Sequence, residues 1–458
     1  MELTSVFFWG FLGLYGVTMT LLSPKALTIK SFFNGEDKYG NKPSAFILTS
    51  SIFISWIFAK SVTNAANLGA AYGIVGGAAY ALYWLCIPIS GFAIYRLRKK
   101  YNAKGLVSFL KDNYGNAAAL SFSAAILIRL FNEIWSNSSV IGGYYGAGGS
   151  TNFIIAASIF TIITLIYSMK GGLLSSIITD TIQTVLFVII FIFIAVWIIP
   201  KHSLNQYISS GSWTLAGGVD LLLVTFIQIF SYPFHDPVLT DRGFISDEKD
   251  MLKAFAVSGI LGFIVILIFS FIGIHAKLEN IVLSGNVPAD VAKNMSVFAF
   301  LLMAVLMIFA AGSTLDSTFS SLSKLAAQDL PNIKGIDLGD KARAAGMIVM
   351  VLFAIVGNLP MIAGTNILAA TTISGTMVIG LSPIFLLHGV FKPTKIGFHL
   401  SFWIGILLGI AYTIGIIPKI FSIGEGKSAL LLGVNLYGTI LCFLAYIIPS
   451  IIVKKDRV

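Results

Sequence analysis

Charge is what this sequence has least of. Only 11% of its 458 residues are Asp, Glu, Lys or Arg, against 57% hydrophobic ones, and its mean hydropathy is +0.89. A soluble domain carries about 25% charged residues, so the composition excludes the soluble classes and predicts an all-α integral membrane protein. Cysteine is nearly absent. Cys86 and Cys442 each sit inside an apolar run, which reads as two small buried hydrophobes and excludes a disulfide framework or a thiolate metal centre. Histidine is sparse too: His202, His235, His275, His388 and His399 are scattered, and there is no HExxH and no GxSxG, so an intramembrane enzyme lacks its machinery. No stretch between the apolar runs is long or of low complexity.

What is there is a succession of apolar runs. At about 20 residues per crossing, spans fall near 4–23, 44–71, 74–95, 117–141, 152–168, 173–199, 220–241, 254–275, 294–324, 342–360, 365–391, 397–418 and 429–452, which makes thirteen transmembrane helices. The first run follows only Glu2 and no basic segment, which reads as a retained helix and not a signal peptide. The net charge of +10 implies no nucleic-acid partner, because the basic residues lie in short loops and set orientation. "RLRKKYNAKG" and "KKDR" fall on one side, "GGYYGAGGSTN" and "LPMIAGTN" on the other. The N-terminus is therefore expected outside and the C-terminus in the cytoplasm, in a plasma-membrane protein.

Six ionisable residues lie within or at the ends of these spans: Lys60, Arg129, Glu133, Asp180, Asp236 and Asp316. A charge at the bilayer centre costs about 2.5–3.5 kcal/mol on insertion scales. Arg129 and Glu133, four apart on one helix, share a face and can pair. Asp180 and Asp316 lie at similar depth. Around Asp316 the run "AGSTLDSTFSSLSKLAAQD" crowds hydroxyls onto the helix that carries the carboxylate, an oxygen set suited to a hard cation. Lys60 needs an anionic partner, a lost proton or water. The candidate partners are Asp180, Asp316, Asp236 or a substrate carboxylate.

Two spans read as broken. "SWIFAKSVTNAANLG" is polar at mid-membrane, and "QIFSYPFHDPVLTDR" carries Pro233 and Pro237, each of which removes a backbone donor. Irregular backbone at membrane depth is tolerated only where it is buried in protein or lines a cavity. Interruptions in the second and seventh spans, each heading a group of five, point to an inverted-repeat transporter with its site at the midplane.

Four segments resemble the sodium:solute symporter family. "STLDSTFSSLSKLAAQD" is similar to its serine-rich eighth core helix, "YSMKGGLLSSIITDTIQ" to the stretch entering its fifth, "HDPVLTDRGFISDEKDMLKA" to its sixth with the arginine and charged loop that follow, and "SPIFLLHGVFKPTKIG" to the end of its tenth. The run from Ser55 to Ala81 is closest in spacing to the urea-transporting branch. The resemblance implies a LeuT-like core of ten helices in two inverted repeats of five, with one extra N-terminal and two extra C-terminal helices. The corresponding units are 1–43 (extra helix and loop), 44–199 (first repeat), 220–391 (second repeat) and 392–458 (two further helices and tail).

Residue by residue, the resemblance implies a sodium site from the carbonyls of Trp56, Ala59 and Ala310 with the hydroxyls of Ser313 and Thr314. A second sodium site, seen in some members, would use Asp180, Ser313, Asp316 and Ser317. The solute would meet Lys60, Thr63, Asn64, Tyr80, Phe234 and Asp236. Lys60 departs from the family, whose members carry a small or hydroxyl residue there. The expected function is sodium-coupled import of a small polar organic solute by alternating access, by a chain able to work as a monomer in a lipid bilayer. The alternatives are a proton-coupled or uncoupled carrier in which Lys60 replaces the coupling ion, and a sensor that binds solute without moving it.

Overall fold

The computed structural model describes residues 2–362 and 373–455. Nine of the described helices are long and apolar enough to cross a membrane, and a bent pair makes a tenth. In chain order the principal helices are α1 (Glu2–Leu22), α2 (Ala45–Trp56), α3 (Ala59–Tyr72), α4 (Ile74–Tyr101), α5 (Asn116–Tyr145), α6 (Thr151–Ile198), α7 (Val219–Gln228), α8 (Glu248–Leu278), α9 (Val297–Lys324), α10 (Lys341–Val356), α11 (Lys395–Thr413) and α12 (Ala429–Lys455). The protein is an all-helical membrane protein.

The ten differ from the thirteen expected spans at three places. The 48-residue α6 would be about 72 Å long if straight, more than twice the bilayer core. It is not straight. Gly172 adopts φ 56° and ψ −134°, a backbone that an L side chain rarely takes. Beyond it the Ser175 hydroxyl reaches back to donate to the Tyr167 carbonyl at 3.1 Å, so the chain turns there. The expected span at 220–241 is too broken to pass as one helix. The expected span at 365–391 lies partly outside the described residues.

Both expected breaks are present. The second expected span bends by 56° between α2 and α3, where Ile57 (ψ 70°) and Phe58 (ψ 139°) leave the helical region. The break falls near the start of the polar run, so Lys60 sits in the first turn of α3. The second break follows α7: a single turn at Tyr232–His235, extended Asp236 (ψ 96°), then a short restart at Pro237–Thr240.

Small residues let the helices around the first break approach closely. A Cβ on Gly273 of α8 would lie 1.7 Å from the Ala66 carbonyl oxygen of α3, and one on Gly69 would lie 2.1 Å from the Ser270 carbonyl oxygen. The two backbones therefore cross in direct contact, which holds α3 against α8 while α2 packs on α6, α8 and α9.

Candidate functional site

Four buried charges join the two breaks. Lys60 donates to Glu133 Oε1 at 2.5 Å, the same oxygen pairs with Arg129, and Arg129 donates to Asp236 Oδ2 from NH2 at 2.8 Å and from Nε at 3.3 Å. All four side chains are at most 1% exposed. The remaining oxygens are also used: Asn137 donates to Glu133 Oε2 at 3.0 Å, and Asp236 Oδ1 accepts the Val238 backbone N–H at 3.1 Å, capping the restart of the second broken helix. The row alternates in sign and sums to zero, which is what low dielectric demands of buried ions. Phe58 lies beneath both cations, 5.1 Å from Lys60 Nζ and 5.4 Å from Arg129 Cζ.

The Lys60 partner is therefore Glu133, and not Asp180, Asp316 or Asp236. Spacing along the chain pairs Glu133 only with Arg129 on its own helix. The signal that reaches further is charge balance, since Lys60 and Arg129 together need two carboxylates and Glu133 with Asp236 supply them.

Beside this row lies a closed aromatic cage. Trp56, Phe58, Tyr80, Tyr83, Trp84 and Tyr232, with Lys60 and Ser61, surround a cavity of about 10 Å³, room for about one water. The indole Nε1 donors of Trp56 and Trp84 are buried with no hydrogen-bond partner among the described residues. Tyr80 is held by Asn64 Nδ2 at 3.0 Å and by Ser61 Oγ at 3.2 Å, and Tyr83 donates to Gln228 at 2.5 Å. A vestibule of about 720 Å³ opens further along α3, and its lining includes Thr63, Tyr144, Asn286 and Lys293.

Of the residues expected to meet solute, Lys60 and Tyr80 line the cage, Thr63 reaches the vestibule, and Asn64 orients Tyr80. Asp236 belongs to the charge row. Phe234 lies elsewhere: it is fully buried and stacks on Phe385 with ring centroids 4.6 Å apart. The side chains of Trp56, Tyr83, Trp84 and Tyr232 join the site without any mark in the sequence. Their periodic signal in an apolar chain is that of ordinary core.

The expected sodium ligands meet in part. Ser313 Oγ lies 3.1 Å from both the Ile54 and Ala310 carbonyl oxygens, and Thr314 Oγ1 lies 3.2 Å from that of Ser55 and 3.1 Å from that of Ala310. Five oxygens thus gather where α9 meets the end of α2. The carbonyls facing the hydroxyls are those of Ile54 and Ser55, where the resemblance implied Trp56 and Ala59. The Ala59 carbonyl instead accepts from Thr63 at 3.2 Å. The helix continues to Trp56, and the carbonyls that face the hydroxyls belong to its last turn, two to four residues before those expected.

The second expected ion position already contains a cation. Arg242, fully buried, directs NH2 to Asp180 Oδ2 at 2.9 Å and Ser317 Oγ at 2.7 Å, and Nε to Ser51 Oγ at 2.7 Å. Asp316 accepts from Ser176 at 2.8 Å and Thr179 at 2.9 Å. Ser313 points to α2 and takes no part. In the sequence Arg242 stands only as part of a motif, because its separation of 62 positions from Asp180 hides the contact from any reading of local spacing.

No family model matches the chain. A curated relative, a urea active transporter of Saccharomyces cerevisiae, is 21% identical over 49% of this chain, and the chain spans 34% of that protein's length. Among solved structures, a sodium-coupled sialic acid symporter in a substrate-bound outward-open state aligns over 98% of both chains with a TM-score of 0.73 and 15% identity. Mhp1, a nucleobase-cation-symport-1 family transporter, aligns over 90% of this chain and 94% of its own with a TM-score of 0.58 and 14% identity. MhsT in complex with L-phenylalanine gives 0.54 at 15% identity over 92% and 99%. These neighbours are transporters and not enzymes, and the fold is the LeuT-like transporter fold. One relative by sequence and one by fold support the resemblance to the sodium:solute symporter family.

Proposed function

We propose that the protein is a sodium-coupled symporter that imports a small, uncharged polar organic solute across the plasma membrane by alternating access. It would use thirteen crossings, two inverted five-helix repeats and an outside N-terminus. The observation that carries the coupling ion is the oxygen cluster at the end of α2. The hydroxyls of Ser313 and Thr314 have two protons between them and face three carbonyls, those of Ile54, Ser55 and Ala310, so oxygen lone pairs outnumber protons in the cluster, a set that a cation would satisfy. Helix-end carbonyls with hydroxyls are a usual sodium set of interrupted helices. The row of four sets the solute's charge: Lys60, Arg129, Glu133 and Asp236 neutralise one another, so the cage beside them offers neutral contacts. These are aromatic faces with the hydroxyls of Ser61 and Tyr80, which suit a planar polar solute.

The test needs no knowledge of the solute. Sodium should raise the melting temperature of the purified protein relative to choline. A hydrogen bond to a charged group is worth about 1.5–3 kcal/mol, so Ser313→Ala and Thr314→Ala should each raise the sodium concentration for half-maximal stabilisation about tenfold or more. Unchanged sodium dependence in both variants refutes the assignment.

A second reading is favoured by the Arg242 cluster. Asp180 and Asp316 are two buried carboxylates served by one guanidinium, and the negative charge left over calls for a proton or a further cation. Proton coupling through this pair predicts uptake that follows a pH gradient and is indifferent to sodium.

A further inference from the structure

Far from the cage, at the end of α8 where the chain leaves the apolar region, three metal-ligating side chains converge that play no part in the proposed transport site. We propose that His202, His275 and Glu279 form a site for a zinc-class divalent ion. His202 Nε2 lies 3.1 Å from His275 Nδ1 and 3.2 Å from Glu279 Oε1, and the three ligand atoms all lie within 4.8 Å of one another. Zinc binds imidazole nitrogen at about 2.0–2.1 Å in a tetrahedron, which sets neighbouring ligands about 3.3–3.4 Å apart; the two short separations match within the span that a bound ion would draw to its own length.

Hydrogen bonding alone leaves this arrangement unsatisfied. A neutral imidazole nitrogen carries either one proton or one lone pair. If His202 Nε2 is protonated it can serve His275 or the carboxylate well, and not both. If it is not, its lone pair faces the negative carboxylate. An ion between the three atoms turns all of these contacts into attractions. Two histidines and one carboxylate leave a fourth position for water.

The scaffold is set before any ion arrives. His275 and Glu279 are one turn apart across the end of α8, where the Glu279 N–H donates to the His275 carbonyl at 3.0 Å. His202 lies between a short helical turn at Ile199–Lys201 and the helix Leu204–Ile208, whose capping box joins Ser203 and Gln206. Its ring meets Tyr207 edge-on at 5.7 Å, and Tyr207 stacks on Phe271 at 4.7 Å. An apolar wall therefore backs the cluster while Glu279, half exposed, faces solvent, giving an ion a way in.

The chain that leaves Glu279 carries Ser284, Gly285 and Asn286 into the vestibule lining, and the Gly285 carbonyl accepts from Asn67 of α3 at 3.0 Å. Zinc would brace the root of this loop against the end of α6 and narrow the freedom of the vestibule mouth.

The experiment is zinc uptake by the full-length protein, free of any polyhistidine tag, measured by elemental analysis after desalting and by competition with a chromogenic chelator. The expected result is one zinc per chain, no comparable binding of magnesium, and a higher melting temperature with zinc. His202→Ala and His275→Ala should each weaken binding more than about 100-fold, since loss of even an outer partner costs about 10–100-fold, and Glu279→Gln should weaken it about tenfold or more. Where His202→Ala does not fold, His202→Asn keeps the size and polarity of the position and carries the same expectation. Absence of stoichiometric zinc in the wild-type protein overturns the proposal. So does full binding by the His202 and His275 variants, which would place the ion at another histidine.

Discussion

Glu133 is the residue whose loss tests the charge row most directly. Among the described residues its carboxylate is the one anion that touches both Lys60 and Arg129, and it is fully buried. Glu133→Gln preserves shape and one acceptor oxygen but leaves two cations facing the single carboxylate of Asp236. Breaking a buried pair by removing one partner costs about 3–5 kcal/mol, and serving two cations puts this case at the upper end. One kcal/mol moves the melting temperature by about 2–4 °C for chains of 150–250 residues, and by less for one of 458, so a fall of about 5–10 °C is expected. The partner variant Lys60→Met removes one cation and leaves Glu133 on Arg129 alone. Combined, Lys60→Met and Glu133→Gln restore neutrality, with Arg129 paired to Asp236, and the double variant should recover at least half of the loss. The assay is thermal unfolding in detergent followed by tryptophan fluorescence, read as a double-mutant cycle. Effects that simply add, or a Glu133→Gln protein as stable as wild type, would refute the reasoning.

Arg242→Gln should cost a similar 3–5 kcal/mol or about that by stranding Asp180 and Asp316, and adding Asp180→Asn should restore much of it; a stable single variant with unchanged response to sodium would show that Arg242 is not the cation of that cluster. Gly273→Ala forces α3 and α8 apart, because its Cβ would meet the Ala66 carbonyl oxygen at 1.7 Å; overpacking costs about 1–3 kcal/mol or more, so yield and monodispersity on gel filtration should collapse while Gly148→Ala, with open space around it, behaves as wild type.

The broken helices are legible in the sequence because proline and polar side chains inside an apolar run are too costly to persist in a regular, lipid-facing helix. Ser313 and Thr314 stand out as hydroxyls near a buried carboxylate, while their expected role toward sodium rests on the family resemblance. What stays hidden follows from two physical limits. Backbone carbonyls have no sequence identity, so the shift from Trp56 and Ala59 to Ile54 and Ser55 depends on where α2 stops, at the Ile57–Phe58 step, and nothing in the side chains marks that step. Long-range ion pairing is also degenerate: six charges and one further arginine allow several neutral pairings, and depth along the span cannot separate Glu133 from Asp180 as the partner of Lys60. The cage is hidden for a third reason. In a chain rich in aromatics, Trp56, Trp84 and Tyr232 look like core until the fold brings them around one cavity.

The two charge clusters divide the labour at the first break. Its lower half, α2, is held by Ser51 to Arg242 and by the Ile54 and Ser55 carbonyls to α9. Its upper half, α3, is held by Lys60 to Glu133 and by close glycine contact to α8. Only Ile57 and Phe58 lie between. In the proposed cycle, opening the cage toward the vestibule would proceed past Lys60 and Thr63, which lie one turn apart on α3 and line the two cavities, without drawing α2 from α9. Opening it on the opposite side means moving α2 away from α9 and the Arg242 cluster, exposing ions whose separation costs several kcal/mol. In the proposed cycle the vestibule side is therefore the easier gate, and an ion bound among the Ser313, Thr314, Ile54 and Ser55 oxygens would reinforce the harder one. That is the order a symporter requires: the ion locks the closed side first, and the solute then completes the cage that it enters from the open one.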